Sequence, residues 1–358
     1  MTERRTVLVT GAAGHVGAEV VHRLATRGHD VVALVHDRME IVANNGRRVR
    51  NVPVLRGDVR RASFGLDTLA GLTDRIGLIV HCAAVTDFGL PEHRYTELNV
   101  DATANVLDVA RSWGAGVIYV STAYVCGDAD GIFREDQLDI GQRFGNHYEH
   151  SKFRAENLVR ESDLRWAVVR PGIVAGECRT GHSRVHKHIY QVVKLIAEGK
   201  LRTLPGNYAA TLALSPIGHV ADTLVGVAER FADNVGKTFH AVGANTVSLR
   251  SMSDVLAEYP SLRMADLVPP STFSPDDLDR IERGYFQKVG SLYTSYLQRR
   301  NEFDSANTRN LLGIAPPPIG AGYLRKILDS CLRTGYLGVA EPTVADALTV
   351  LQVMRAAR

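Results

Sequence analysis

The stretch that most limits what this chain can fold into is "TVLVTGAAGHVGAEVVHRLATRGHDVVALV", residues 6–35. A β-branched run ends in glycines, passes into apolar positions three and four apart, and returns as a second β-branched run. That order is one β-α-β unit, whose two strands must lie parallel because a helix carries the chain back. Gly11, Gly14 and Gly17 form G-x-x-G-x-x-G between strand and helix. The first two let the backbone turn sharply and approach a pyrophosphate, and the last lets the helix pack closely on the strand. The start of the helix adds unpaired N–H groups and a positive dipole end. Gly11, Ala13, Gly14, His15, Val16 and Gly17 are therefore expected to surround the phosphates of a dinucleotide.

The same rhythm continues. "VPVLRGD", "GLIVHCAA", "GVIYVST" and "WAVVRPGIV" are further short apolar runs, separated by segments of helical spacing. Near-continuous apolar strands imply a parallel sheet covered on both faces, so the expected fold class is α/β, doubly wound and Rossmann-type. Beyond Gly176 the rhythm changes, predicting a dinucleotide-binding domain over residues 1–178 and a smaller, mostly helical substrate-side lobe over 179–358. Strands and helices from about 210–245 are expected to return to the first domain. A long basic helix is expected from about Arg184 to Lys200, and "GIAPPPIGAG" reads as a rigid link before a last helical pair.

Composition excludes several classes. The 42 basic and 39 acidic side chains nearly cancel, leaving no strong field for nucleic acid or an anionic membrane surface. No apolar run reaches membrane-spanning length and no signal-peptide core is visible, so a cytoplasmic protein is expected. Cys82, Cys126, Cys178 and Cys331 lack metal-site spacing and read as small core residues. His182, His186 and His188 have no neighbouring carboxylate or cysteine, and no metal site is expected.

At the end of the second strand stands "VHDRME". A carboxylate there binds the ribose hydroxyls of NADH, whereas a cation favours the 2′-phosphate of NADPH. Asp37 offers the first and His36 with Arg38 the second, and the balance leans to NADPH with NADH as the alternative. Further on, "NHYEHSKFRAE" places Tyr148 and Lys152 four apart, one above the other on a helix. An ammonium beside a phenol favours the phenolate, so Lys152 is expected to lower the pKa of Tyr148 and also to reach the cofactor ribose. "YVSTAYVCG" puts Thr122 at the carboxyl end of the fifth strand, where ligands bind in open α/β sheets. Thr122, Tyr148 and Lys152 are the expected catalytic residues: an oxyanion formed by hydride transfer to a carbonyl needs such donors.

Together these motifs resemble the extended short-chain dehydrogenase/reductase family. The matching segments are "TGAAGHVG", "HCAA" (81–84), "LNVDATANVL" (98–107), "STAYVCG", "YEHSK" and "RPGIVAG" (170–176). The resemblance implies that Asp58 and Val59 flank the adenine, that Ala83 and Ala84 line the nicotinamide half, and that Asn99 supports the active-site helix. It further implies that Pro171, Gly172 and Ile173 border the carboxamide. "LSPIGHVAD" and the late "YLQRRNEFDSANTRNLLG" are similar to the fatty acyl-CoA reductase and thioester reductase branch. That branch implies reduction of an acyl thioester, on coenzyme A or on a separate carrier protein, to an aldehyde or alcohol. Arg179, Arg184, Lys187, Lys194, Lys200 and Arg202 read equally as a landing surface for an anionic acyl carrier and as a solvated basic helix face. The alternatives are a ketoreductase or alcohol dehydrogenase, a sugar-nucleotide epimerase, and a nucleotide-sensing binding protein. A homodimer through the segments around 96–112 and 148–162 is also expected.

Overall fold

The computed structural model describes residues 6–66 and 75–338. Its central sheet has seven parallel strands. In spatial order these are Lys237–Ala241, Trp166–Pro171, Gly116–Val120, Ile76–His81, Thr6–Thr10, Val31–Val35 and Val54–Arg56. Thr6–Thr10 and Val31–Val35 are buried along their whole length, as a sheet covered on both faces requires. One face carries the helices His15–Thr26 and Ile217–Glu229, which bury Val20, Leu24, Val220 and Leu224 against it. The other carries Ala102–Trp113 and His147–Glu161, which bury Val106, Ala110, Ala155 and Val159. Each such valine or leucine contributes about 1.5–3 kcal/mol. The sheet is doubly wound, and its order reverses between Thr6–Thr10 and Ile76–His81. The connections leave that point in opposite directions, which opens a crevice at the carboxyl ends of the strands.

Most of the chain beyond Gly176 is built on a separate core that includes Tyr190, Leu201, Leu204, Leu256, Leu297 and Leu324. The basic helix expected from Arg184 to Lys200 is shorter, Ile189–Ala197. His188 before it has φ +55° and Gly199 after it φ +69°, left-handed conformations that no helix continues through. Nor do its cations form one open face. Lys194 and Lys200 pair with Glu198, and Arg202 pairs with Asp279 and Glu282. One helix, Ala321–Arg333, follows the proline-rich link; the second of the expected pair falls outside the described residues.

The "FDSANT" segment acts as a buckle behind the sheet. The strand Asn301–Phe303 pairs with Gly131–Phe133. Asn307 donates its backbone N–H to Glu135 and its amide to the Thr238 carbonyl, and the Thr308 hydroxyl donates to the His240 carbonyl. His240 is fully buried and its pKa is pushed down to about 3, first by burial and then by Arg170. Arginine has no acceptor, so the neutral ring accepts from Arg170 Nη1 through Nε2 and donates through Nδ1 to the Asp304 carbonyl. Arg170, of the "RPG" motif, is itself buried on Glu156.

Candidate active site

At the crevice the glycine turn is cramped in the way its sequence implies. Gly11 has φ +62°, and a Cβ there would lie 2.7 Å from the Ala83 nitrogen. A Cβ on Gly17 would lie 2.3 Å from the Gly11 carbonyl oxygen. Only glycine permits both approaches, which bring the turn against the end of the Ile76–His81 strand. Gly14 caps the helix His15–Thr26, whose first N–H groups face the crevice. Both ring nitrogens of His15 are buried without a partner, and burial, then Arg184, pushes its pKa down to about 4.

A cleft of about 500 Å³ runs from this turn to the helix that carries Tyr148. Gly11, Ala13, Gly14, His15, Val16, Gly17, His36, Arg38, Ala83, Ala84, Thr122, Tyr148, Gly172 and Ile173 all line it. Asp58, Val59, Asn99, Lys152 and Pro171 stand behind that lining. Asp58 is held by Arg60 at 2.6 Å, which keeps its pKa down at about 2. Val59 packs into the core beneath the sheet. The Pro171 carbonyl accepts from the Thr122 hydroxyl at 3.3 Å. His36 lies between two carboxylates, with Nδ1 3.0 Å from Asp37 and Nε2 3.5 Å from Asp58.

Tyr148 and Lys152 share the helix His147–Glu161, which Asn146 caps by accepting from the Glu149 N–H. They do not share a chemical environment. The Tyr148 phenol borders the cleft beside Thr122, and burial raises its pKa. Lys152 is 2% exposed, donates to the Val120 carbonyl at 2.7 Å and lies 4.2 Å from the Tyr119 ring centroid. Burial pushes its pKa down to about 7. The expectation that Lys152 depresses the Tyr148 pKa is therefore corrected. The ammonium is directed at the strand end, and desolvation dominates the phenol.

Asn99 ties the catalytic helix to the sheet. Its carbonyl accepts from the Val85 N–H at 2.8 Å, and its amide donates to the Val85 carbonyl and to Ser151 Oγ. Ser151 Oγ then donates to the Tyr148 carbonyl at 2.7 Å. Beneath, Thr10, His81 and Thr103 form a chain of hydrogen bonds that ends with the Thr103 hydroxyl donating to the Asn99 backbone carbonyl.

The far wall has no counterpart in the sequence reading. Phe88 stands 5.1–5.8 Å, centroid to centroid, from the rings of Tyr148, His188, Tyr293 and Tyr296. Tyr296 in turn meets Tyr124 edge-on at 4.8 Å. Asp87 and Lys187 close a 2.7 Å ion pair across the two halves. Aromatic residues from such distant segments have no spacing rule; only the proximity of "DFG" to the "HCAA" strand end hinted at Phe88. Burial pushes the Cys82 thiol up to about 12, which makes it inert as a nucleophile. Among the described residues no helix is long and apolar enough to cross a membrane.

The pattern of the family described as "Male sterility protein" matches residues 9–224. The chain is 25% identical, over 311 residues, to the L-2-aminoadipate reductase large subunit of Penicillium chrysogenum, aligning 76% of this chain with 22% of that protein. It is 27% identical over 288 residues to the glycine betaine reductase of Emericella nidulans, aligning 72% of this chain with 22% of that one. The chain thus spans 22% of the length of either relative. A dTDP-4-dehydro-6-deoxy-D-allose reductase from a Streptomyces is 32% identical over 185 residues, 48% of this chain and 56% of that one. Among solved structures, the terminal R domain from the myxalamid PKS-NRPS biosynthetic pathway superposes with a TM-score of 0.81 at 24% identity. That match covers 95% of this chain and 94% of the other. A thiolation-reductase di-domain from an archaeal non-ribosomal peptide synthetase gives 0.67 at 17% identity, covering 94% and 92%. At those identities the two structures share this fold.

Proposed function

We propose that this chain, which belongs to the male sterility protein family of extended short-chain dehydrogenases/reductases and is an NAD(P)-dependent oxidoreductase, reduces the carbonyl of an acyl thioester. The observation that carries the reading is the Thr122–Tyr148 hydroxyl pair at one end of a cleft whose other end is the glycine turn. The buried, unpartnered nitrogens of His15, beside a glycine turn too tightly packed to carry side chains at Gly11 and Gly17, fit a bound dinucleotide. Gly11 to Gly17 and His15 would hold its pyrophosphate, Ala83, Ala84, Gly172 and Ile173 would border its nicotinamide end, and Lys152 would serve its ribose. When bound, the reduced nicotinamide supplies a hydride.

The chain's own residues then act on the acyl group. Hydride addition at the carbonyl carbon turns the C=O pair into an oxyanion, which the Thr122 and Tyr148 hydroxyls stabilise by hydrogen bonding. A phenol whose pKa is raised stays protonated at neutral pH, so it donates a hydrogen bond without quenching the negative charge. The oxyanion keeps the electron pair that re-forms C=O, the C–S bond breaks, and a thiolate leaves with an aldehyde as the product. A thiolate is a far better leaving group than hydride, which sets the direction. The acyl group arrives on coenzyme A or on a separate carrier protein, in line with the thiolation-reductase pairing of one structural relative. NADPH is the proposed cofactor. A second reading, reduction of a free ketone, draws on the identity to the deoxyallose reductase.

Two signals followed together test this: loss of reduced cofactor and appearance of free thiol, over a panel of acyl-CoA thioesters. One thiol per cofactor oxidised, abolished in Tyr148→Phe with cofactor binding retained, is the expected result. Cofactor oxidation on ketones with no thiol from any thioester overturns it in favour of the second reading.

A further inference from the structure

We infer that Arg184, contributed by the substrate-side half, and Arg38, at the end of the second strand, close on the 2′-phosphate of NADPH from opposite sides of the cleft. This rests on the proposed use of NADPH and assigns a residue that the strand-end motif does not contain.

Three observations carry it. First, the backbone around Arg184 is fixed to the dinucleotide-binding half. Asn44, 6% exposed, accepts from the Arg184 N–H at 2.9 Å and donates to the His182 carbonyl at 3.0 Å. Its own N–H donates to Glu19 on the first helix. The segment 182–184 is thereby clipped across the cleft mouth, beside the glycine turn. Second, both guanidinium groups line the cleft, and neither has an ion pair among the described residues. Arg184 Nε is buried without a hydrogen-bond partner. Two cations facing one space repel each other, and the charge of Arg38, after burial, pushes the Arg184 pKa down. An anion between them removes that repulsion and satisfies the orphaned donor. Third, the carboxylates that would receive unmodified ribose hydroxyls are otherwise engaged. Asp37 and Asp58 both face His36, and Asp58 is also gripped by Arg60. His36 is thus turned to carboxylates, and the partner of Arg38 is Arg184.

The pyrophosphate has its own site in the helix start and His15, whereas Arg38 sits past the strand end, where the adenosine ribose falls. A guanidinium fork matches a phosphate in a way that lysine does not. Removing one such charge-assisted contact lowers affinity about ten- to hundredfold.

The test is direct binding of NADPH and of NADH to the purified protein, read from the fluorescence of the reduced nicotinamide, for wild type, Arg184→Ala, Arg184→Lys and Asn44→Ala. Arg184→Ala is expected to lose about ten- to hundredfold in NADPH affinity while NADH stays within about twofold. Arg184→Lys should recover part of the loss, and Asn44→Ala should weaken NADPH selectively by letting the clip go. Equal weakening of both dinucleotides overturns the assignment, because Arg184 would then serve the shared pyrophosphate. A wild type that prefers NADPH, with Arg184→Ala unchanged, defeats the inference alone. A wild type that prefers NADH, or that binds neither, defeats the cofactor reading and the inference together.

Discussion

Lys152, which we place at the cofactor-ribose end of the site, is costly for folding, and replacing it by methionine isolates that cost. The side chain is 2% exposed, and its pKa falls from 10.5 to about 7. Desolvation is the first cause, against which Glu156 and Cys82 act. Each tenfold loss of proton affinity is worth about 1.4 kcal/mol, so the folded protein bears about 4 kcal/mol at pH 7. The sign follows from proton counting. Between the two pKa values the unfolded chain binds the extra proton, so this contribution makes stability rise with pH from about 7 to 10.5. The cost is absent above the unfolded value and complete below the folded one. Lys152→Met removes that cost and forfeits the 2.7 Å bond to the Val120 carbonyl, a loss of about 1–3 kcal/mol. The net gain at pH 7 is about 1–3 kcal/mol. A chain of this length has an unfolding entropy near 0.7 kcal/mol/K, so the gain is about 2–4 °C in Tm. Thermal unfolding of both proteins without cofactor, at matched scan rates from pH 7 to pH 10, is the assay. The variant should melt higher at pH 7 and lose about 5 °C relative to wild type by pH 10, while turnover is abolished. Parallel Tm curves across that range would refute the reasoning, since they would mean that Lys152 keeps an ordinary pKa in the fold.

Two further substitutions probe the frame around the site. Glu135 is 3% exposed and burial raises its pKa to about 7. Its contribution is present below the unfolded value of 4.5 and is lost as pH rises through about 7. Wild type should therefore lose about 2–3 kcal/mol more than Glu135→Gln between pH 5 and pH 8, measured as the change in denaturant midpoint. Arg299 makes a two-pronged pair, at 2.9 and 3.1 Å, with fully buried Glu149, the neighbour of Tyr148. Arg299→Met should cost about 3–5 kcal/mol and lower kcat more than it raises KM, whereas the double variant Glu149→Met with Arg299→Met should regain much of the stability. A single variant as stable as wild type would show the pair to be dispensable.

These cases mark where the sequence stops being readable. The parallel sheet, the glycine turn and the Thr122, Tyr148 and Lys152 set were legible because each rests on a local period. Strands buried on both faces write themselves as unbroken apolar runs, the turn needs glycines at a fixed spacing, and a helix stacks positions four apart. What Lys152 does with its position was not legible, because its partner is the Val120 carbonyl, across the sheet end. The ion pairs of the basic stretch after Gly176 were not legible for the same reason. Arg202 finds Glu282 eighty residues later, and no spacing announces that pairing. "FDSANT" carried the resemblance to the thioester reductase branch, yet its side chains lie behind the sheet on Glu135, Thr238 and His240 rather than in the cleft. A motif can thus identify a branch while doing structural work. By locking residues 301–308 to the strand ends, the buckle fixes the segment just before it, where Tyr293, Tyr296 and Arg299 reach the catalytic helix and the cleft wall. The shape of the cleft wall then depends on the tail motif, although the motif itself does not line the cleft. A change at Asn307 or Thr308 would accordingly reach the cleft through Tyr296, although neither residue lines it.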